Sequence, residues 1–139
     1  MTRQILASIA IVILIVSNVG CATEPPGVRP PDAQELSAAE LRSLIERAAA
    51  EGRVFDDGFD GGLTYAFRAD GRVIITSRYV RSKSFSGRWR IDTDLASLCI
   101  RIDNDPESCS RIYRLPGQTN RYYADVEGGT RQANTFSMR

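Results

Sequence analysis

Histidine is missing from all 139 residues. Its absence removes Ser–His and Cys–His nucleophilic pairs, His-ligated zinc and the usual general base near neutral pH. Lysine is almost missing, since Lys83 is the only one and arginine carries the remaining positive charge. Charge of one sign is lacking too. A formal net charge of +1 gives no footprint for nucleic acid and no acidic tail. No apolar run reaches the roughly 20 residues of a membrane-spanning helix. For catalysis there remain carboxylates, tyrosines and Lys83. Asp92 and Asp94 are two apart and would share one strand face. Paired acids of glycosidases come from different elements around a cleft. An enzyme is therefore not expected, and a carboxylate-dependent hydrolase is kept only as a second alternative. Neither a cofactor nor a metal is called for.

What is present begins with an address. Arg3 precedes the apolar run Ile5–Val16 (ILASIAIVILIV). A basic start and about a dozen apolar residues fit a secretory signal peptide over residues 1–20. The run ends in Ser17-Asn18-Val19-Gly20-Cys21, which resembles a bacterial lipoprotein signal. The resemblance implies that Cys21 is lipidated and becomes the new N-terminus. Asn18 departs from the aliphatic residue usual three places before the cysteine. Gly20 and Ala22 also offer the small-x-small pattern of ordinary export, so a cut after Ala22 is the alternative. Residues 21–35 hold Pro25, Pro26, Pro30 and Pro31. Proline lacks an amide donor and fixes φ, so this stretch is expected to be an extended tether reaching roughly 35–40 Å.

The folded part is expected over residues 36–139. Ser37-Ala38-Ala39-Glu40 has capping-box spacing, with Leu36 and Leu41 at the staple positions. Leu41, Leu44, Ile45 and Ala48 recur on one helical face. Arg42–Glu46 and Arg47–Glu51 are i,i+4 pairs, and Gly52 suits the C′ position. These signals predict a helix over Ala38–Glu51, packed on its own domain through a narrow leucine face.

From Arg53 onward, β-branched and aromatic residues come in short runs separated by Gly, Asp and Asn. The runs predict strands over Arg53–Asp56, Leu63–Ala69, Arg72–Val80, Phe85–Asp92, Leu98–Asp103, Ser108–Leu115, Arg121–Val126 and Gln132–Met138. The fold class expected is mainly β α+β: one short helix, then an antiparallel meander of seven or eight strands able to close into a small barrel. Asp70-Gly71 marks a hairpin. A two-residue loop sets Phe67 beside Ile74. A three-residue loop aligns Tyr65, Phe67, Val73 and Ile75, and is preferred because it gathers apolar groups on one face. Cys99 and Cys109 lie symmetrically about Asn104, so a turn over Asn104–Glu107 places them opposite each other. Exported chains oxidise such pairs, whereas a metal needs more ligands than two thiols supply. Cys99 and Ile100 cannot share a face, so strand Leu98–Asp103 is expected to be covered on both sides, one cover being the helix.

Two stretches suggest ligands. Asp56-Asp57-Gly58-Phe59-Asp60-Gly61-Gly62 is superficially a calcium loop. It has Gly58 at the third ligand position and Phe67 where the bidentate Glu belongs, so an acidic turn is expected instead. Arg78, Arg81, Lys83, Arg88 and Arg90 form a basic cluster with Tyr79, Phe85 and Trp89 among them. Such clusters can meet anionic lipid or polysaccharide, and the export signal argues against nucleic acid. The acids Asp92, Asp94, Asp103, Asp105 and Glu107 can pair with it, and a solvated face is the plainer expectation.

Gly87-Arg88-Trp89, Leu98-Cys99, Cys109 and Tyr113, with the Asp70-Gly71 hairpin, resemble an uncharacterised family of small exported Gram-negative proteins. The resemblance spans about Leu63–Tyr123 and implies a fold but no activity. A weaker likeness is to bacterial lipocalin-like inhibitors of metalloproteases, small β-barrels with a G-x-W-type strand and one disulfide. In lipocalin-like chains that strand usually opens the barrel. Here three predicted strands precede it. The function expected is a non-enzymatic binding or structural role in the periplasm or at the outer membrane. The partners would be the membrane, through the N-terminal lipid, and an unidentified envelope protein or glycan. A periplasmic protease inhibitor is the first alternative.

Overall fold

The computed structural model describes residues 28–57, 62–77, 83–125 and 133–139. The stretch expected to be a signal peptide, residues 1–20, and Cys21 lie outside these. The elements are β1 (Gln34–Glu35), α1 (Ala38–Glu51), β2 (Phe55–Asp57), β3 (Leu63–Phe67), β4 (Arg72–Ser77), β5 (Ser84–Asp92), β6 (Ser97–Ile102), β7 (Ser108–Arg114), β8 (Arg121–Asp125) and β9 (Ala133–Met138). Every pairing is antiparallel. Strands β2 to β9 follow one another round the sheet in chain order, and β9 pairs with both β8 and β2. The meander therefore closes into an eight-stranded up-and-down barrel, which removes its open edges.

Helix α1 begins as the capping chemistry dictates. The Glu40 amide donates to Ser37 Oγ and the Ser37 amide donates back to the Glu40 carboxylate. Gly52 ends the helix at φ 66°, a left-handed conformation that costs a residue without Cβ little. Arg42 pairs with Glu46, but Glu51 pairs with Arg53 rather than with Arg47. The leucine face enters the barrel at one end. Leu41, Leu44, Ile45 and Ala48 join Leu36, Phe55, Phe67, Val73, Ile91, Leu98 and Ile112 in one core cluster. No helix among the described residues is long and apolar enough to cross a membrane.

The turn at Asp70-Gly71 takes the three-residue alignment, with Tyr65 opposite Ile75 and Phe67 opposite Val73. At the next crossing, a Cβ on Gly87 would stand 2.6 Å from the Arg101 carbonyl oxygen of β6. That is why the residue two before Trp89 has no side chain: β5 and β6 come too close there to admit one. Trp89 points inward, its ring edge-on to Phe67, and its indole N–H donates to the Arg68 carbonyl.

Cys99 and Cys109 are direct cross-strand partners joined by a disulfide. The bond lies on the outer wall, while Leu98 and Ile100 face inward. Strand β6 is covered on both sides as expected. The helix is the inner cover. The outer one is a bidentate fork from Arg90 on β5 to Glu107, at 2.9 and 2.7 Å, which spans the position of Cys99. Cys99 is consequently fully buried.

The proline-rich segment does not stay clear of the barrel throughout. Its last residues lie along the outer wall of β7 and β8, where β1 pairs with the part of β7 that β6 leaves free. Arg29 stacks over the Tyr113 ring at 3.9 Å, beside Asp125, which also accepts the Tyr113 hydroxyl. Tyr113, Tyr123, Ala33 and Leu115 make a second, smaller apolar cluster there.

Candidate functional site

Cross-strand partners share a face, so the register identifies what points into the barrel. Going round, the inward residues are Phe55 and Asp57, then Leu63, Tyr65 and Phe67, then Val73 and Ile75. Phe85, Gly87, Trp89 and Ile91 follow, then Leu98, Ile100 and Ile102. Ser108, Ser110, Ile112, Tyr122, Ala124 and Phe136 complete the circuit. The helix enters from the end where β3 meets β4. At that end the inward residues Phe67, Val73, Ile91 and Ile112 are all buried, Phe67 and Ile112 where they border the cavity that opens beyond them.

The other half is hollow. A cavity of about 540 Å³ runs from a floor made by Leu41, Leu44 and Ile45 towards the turn that carries Asp105 and Pro106. Its size falls in the usual range for small-molecule sites. Leu63, Tyr65, Ile100, Ile102 and Phe136 line it and remain only half-buried, and Phe85 is 39% exposed. Apolar side chains that face a barrel interior and still meet solvent are what an unfilled ligand chamber presents. The void arises because β7 and β8 contribute Ser108, Ser110 and Ala124, too small to meet the bulk opposite.

Among the described residues, the polar groups lining the chamber are those of Tyr65, Asp105, Ser108, Ser110 and Tyr122. Burial, and then the nearby Asp57 carboxylate, push the Tyr65 hydroxyl above its ordinary value, so it stays a neutral donor. Among the described lining residues there is no arginine or lysine.

The basic cluster expected from the sequence is divided. Arg78 and Arg81 lie outside the described residues. Lys83 is exposed beside the start of β5. Arg88 and Arg90 face outward, whereas Trp89 belongs to the interior, so it is no part of a charged patch. Arg90 is taken up by Glu107 and Asp92. Arg88 instead stands in an outward row with Arg72 and Arg101, direct neighbours on β4 and β6. Sequence distance hid that row, because it needs the register of two strand pairs.

The carboxylates of the hydrolase alternative do not form a pair on one strand. Asp92 ends β5 and Asp94 lies in the following turn. Asp92 accepts the Leu95 and Asp94 amides, and these bonds, with Arg90, hold its carboxyl below the ordinary range. Of the calcium-loop stretch, residues 58–61 lie outside the described residues. Asp56 accepts the Thr64 hydroxyl at 2.8 Å and is bonded by the Arg139 guanidinium. Cys99, Cys109 and Glu107 bring three donor atoms within 4.8 Å of one another. The two sulfurs are spent on each other, so no thiolate remains to hold a metal. No family model matches this chain, and neither a curated protein nor a solved structure is significantly similar to it.

Proposed function

We propose that this is an exported, lipid-anchored envelope protein that binds a small apolar molecule inside its barrel without chemistry. One observation carries the binding role: half of the interior is an apolar chamber open to solvent, floored by the leucine face of α1. Eight strands leave room for about one small ligand when side chains do not fill them. A purely structural role would leave the chamber without a use, since filling it would stabilise the fold. The likeness to lipocalin-like chains supports the same reading. The inhibitor version of that likeness needs a free N-terminal segment, and residues 28–36 are laid against their own barrel. The export part rests on the apolar run before Cys21 and on a disulfide, a bond that persists outside the reducing cytoplasm.

The test is titration of the mature protein with N-phenyl-1-naphthylamine, a dye that brightens in apolar surroundings. Saturable uptake of one equivalent is expected. Ile100→Trp places an indole in the chamber and should abolish uptake with the melting temperature preserved. No saturable uptake by the wild type, or undiminished uptake by a folded Ile100→Trp, overturns the proposal.

A further inference from the structure

The chamber wall is chemically uneven, and the unevenness points to a ligand class. In the open half, β3, β5, β6 and β9 present hydrocarbon: Leu63, Phe85, Ile100, Ile102 and Phe136. Strand β7 presents two hydroxyls. Ser108 stands opposite Ile100 and Ser110 opposite Leu98, so both face inward, about 7 Å apart along the strand. The fold makes no use of them. Among the described residues neither hydroxyl has a hydrogen-bond partner in the protein, so water solvates both, Ser108 being exposed and Ser110 half-buried. Inward serines also forgo the packing that Val or Ile would supply at the same positions.

An apolar ligand entering the chamber displaces the water that solvates these hydroxyls. A pure hydrocarbon leaves both donors unsatisfied, and that penalty counts against binding. A ligand with a carbonyl at the right depth replaces the water bond for bond. We infer that the chamber selects amphiphiles carrying a neutral acceptor group, an ester or amide, on an alkyl body, and that Ser108 and Ser110 recognise that group. A neutral group fits better than a carboxylate because no arginine or lysine among the described lining residues would balance a buried anion. The inference rests on the chamber being the ligand site and adds the chemical class and the residues that read it.

The experiment displaces bound N-phenyl-1-naphthylamine from the mature protein with methyl decanoate or with undecane, in wild type and in Ser108→Ala/Ser110→Ala. Comparing variants for one competitor cancels that competitor's own hydration. The double variant should need about tenfold more methyl decanoate than wild type, as expected when a site loses the donors built for its ligand. Its response to undecane should be unchanged or stronger, each displacement being converted to a dissociation constant with the dye affinity measured for that same variant. Equal methyl decanoate displacement in the two proteins overturns the inference and leaves the chamber proposal standing. Equal weakening towards both competitors also overturns it, since that reports a disturbed wall. Failure of wild type to bind the dye overturns both.

Discussion

Leu41→Ala tests whether the helix is the floor of the barrel or a decoration on it. Leu41 is fully buried, sits in the first turn of α1 next to the capping box, and borders the chamber from below. Removing a buried leucine side chain costs about 2–5 kcal/mol, depending on how far neighbours collapse into the space. Here two effects oppose. Ile45, one turn further along the same helix, is held by it and cannot close the gap. The gap, however, adjoins the chamber that Leu41 lines, so it enlarges an existing space rather than opening a separate void. We place the loss at about 3 kcal/mol, in the lower half of that range. For a folded unit of roughly 100 residues this lowers the melting temperature by about 14 °C. The assay is thermal unfolding by circular dichroism, with and without N-phenyl-1-naphthylamine. A ligand held at one hundred times its dissociation constant should restore about 2.7 kcal/mol, close to what the substitution removes. A loss of no more than about 0.5 kcal/mol, the scale of surface substitutions, would refute the reasoning that α1 is part of the core.

Three further outcomes are expected. Gly87→Ala should destabilise far more than Gly71→Ala in urea unfolding. The first drives a Cβ to 2.6 Å from a backbone oxygen of β6, while the second incurs about 1–2 kcal/mol for a left-handed turn residue at φ 82°. The Arg90 guanidinium holds the Glu107 carboxyl below its ordinary value. Its contribution to stability is therefore full above the ordinary glutamate range and lost as pH falls through the depressed value. Glu107→Gln should flatten the acid side of the melting-temperature profile below the ordinary glutamate range, and an unchanged profile would count against the fork. Arg88→Glu turns two like-charge cross-strand neighbours, Arg72 and Arg101, into opposite-charge pairs. It should raise the melting temperature by a few degrees at low salt and by less at 1 M, where screening is short-ranged.

Much of this architecture was legible because its determinants are local. The capping box of Ser37 and Glu40, the leucine spacing and Gly52 lie within one helix, and the observed span is the expected Ala38–Glu51. Asp70-Gly71 and the symmetric cysteines set two turns within a few residues of themselves, so register followed from chain order. Strand β1 was not legible. It follows directly on a proline-rich stretch, spans two residues, and exists only because β6 stops short of the end of β7. Trp89 did not belong in the basic cluster for a reason that strand geometry already contains. Alternation must place Trp89 on the face opposite Arg88 and Arg90, whatever their closeness along the chain.

The chamber was hidden for a different reason. Whether a barrel interior is full depends on a sum of side-chain volumes over eight strands and a helix, and no single segment carries that sum. Ser108, Cys109 and Ser110 read locally as a polar strand beginning. Only the pairing of Cys99 with Cys109 assigns their faces, since it fixes the sulfurs outside and therefore both serines inside. The disulfide thus does more than close a short loop, which contributes about 3 kcal/mol on the chain-entropy account. It holds β6 and β7 in the one register that turns two small polar residues towards a wall of Ile100, Ile102 and Phe85. A slip of one residue would carry Ser108 and Ser110 to solvent and bring Cys109 and Arg111 indoors, filling the hollow with a buried charge. The residue pair that is easiest to recognise in the chain is the one that keeps the chamber open.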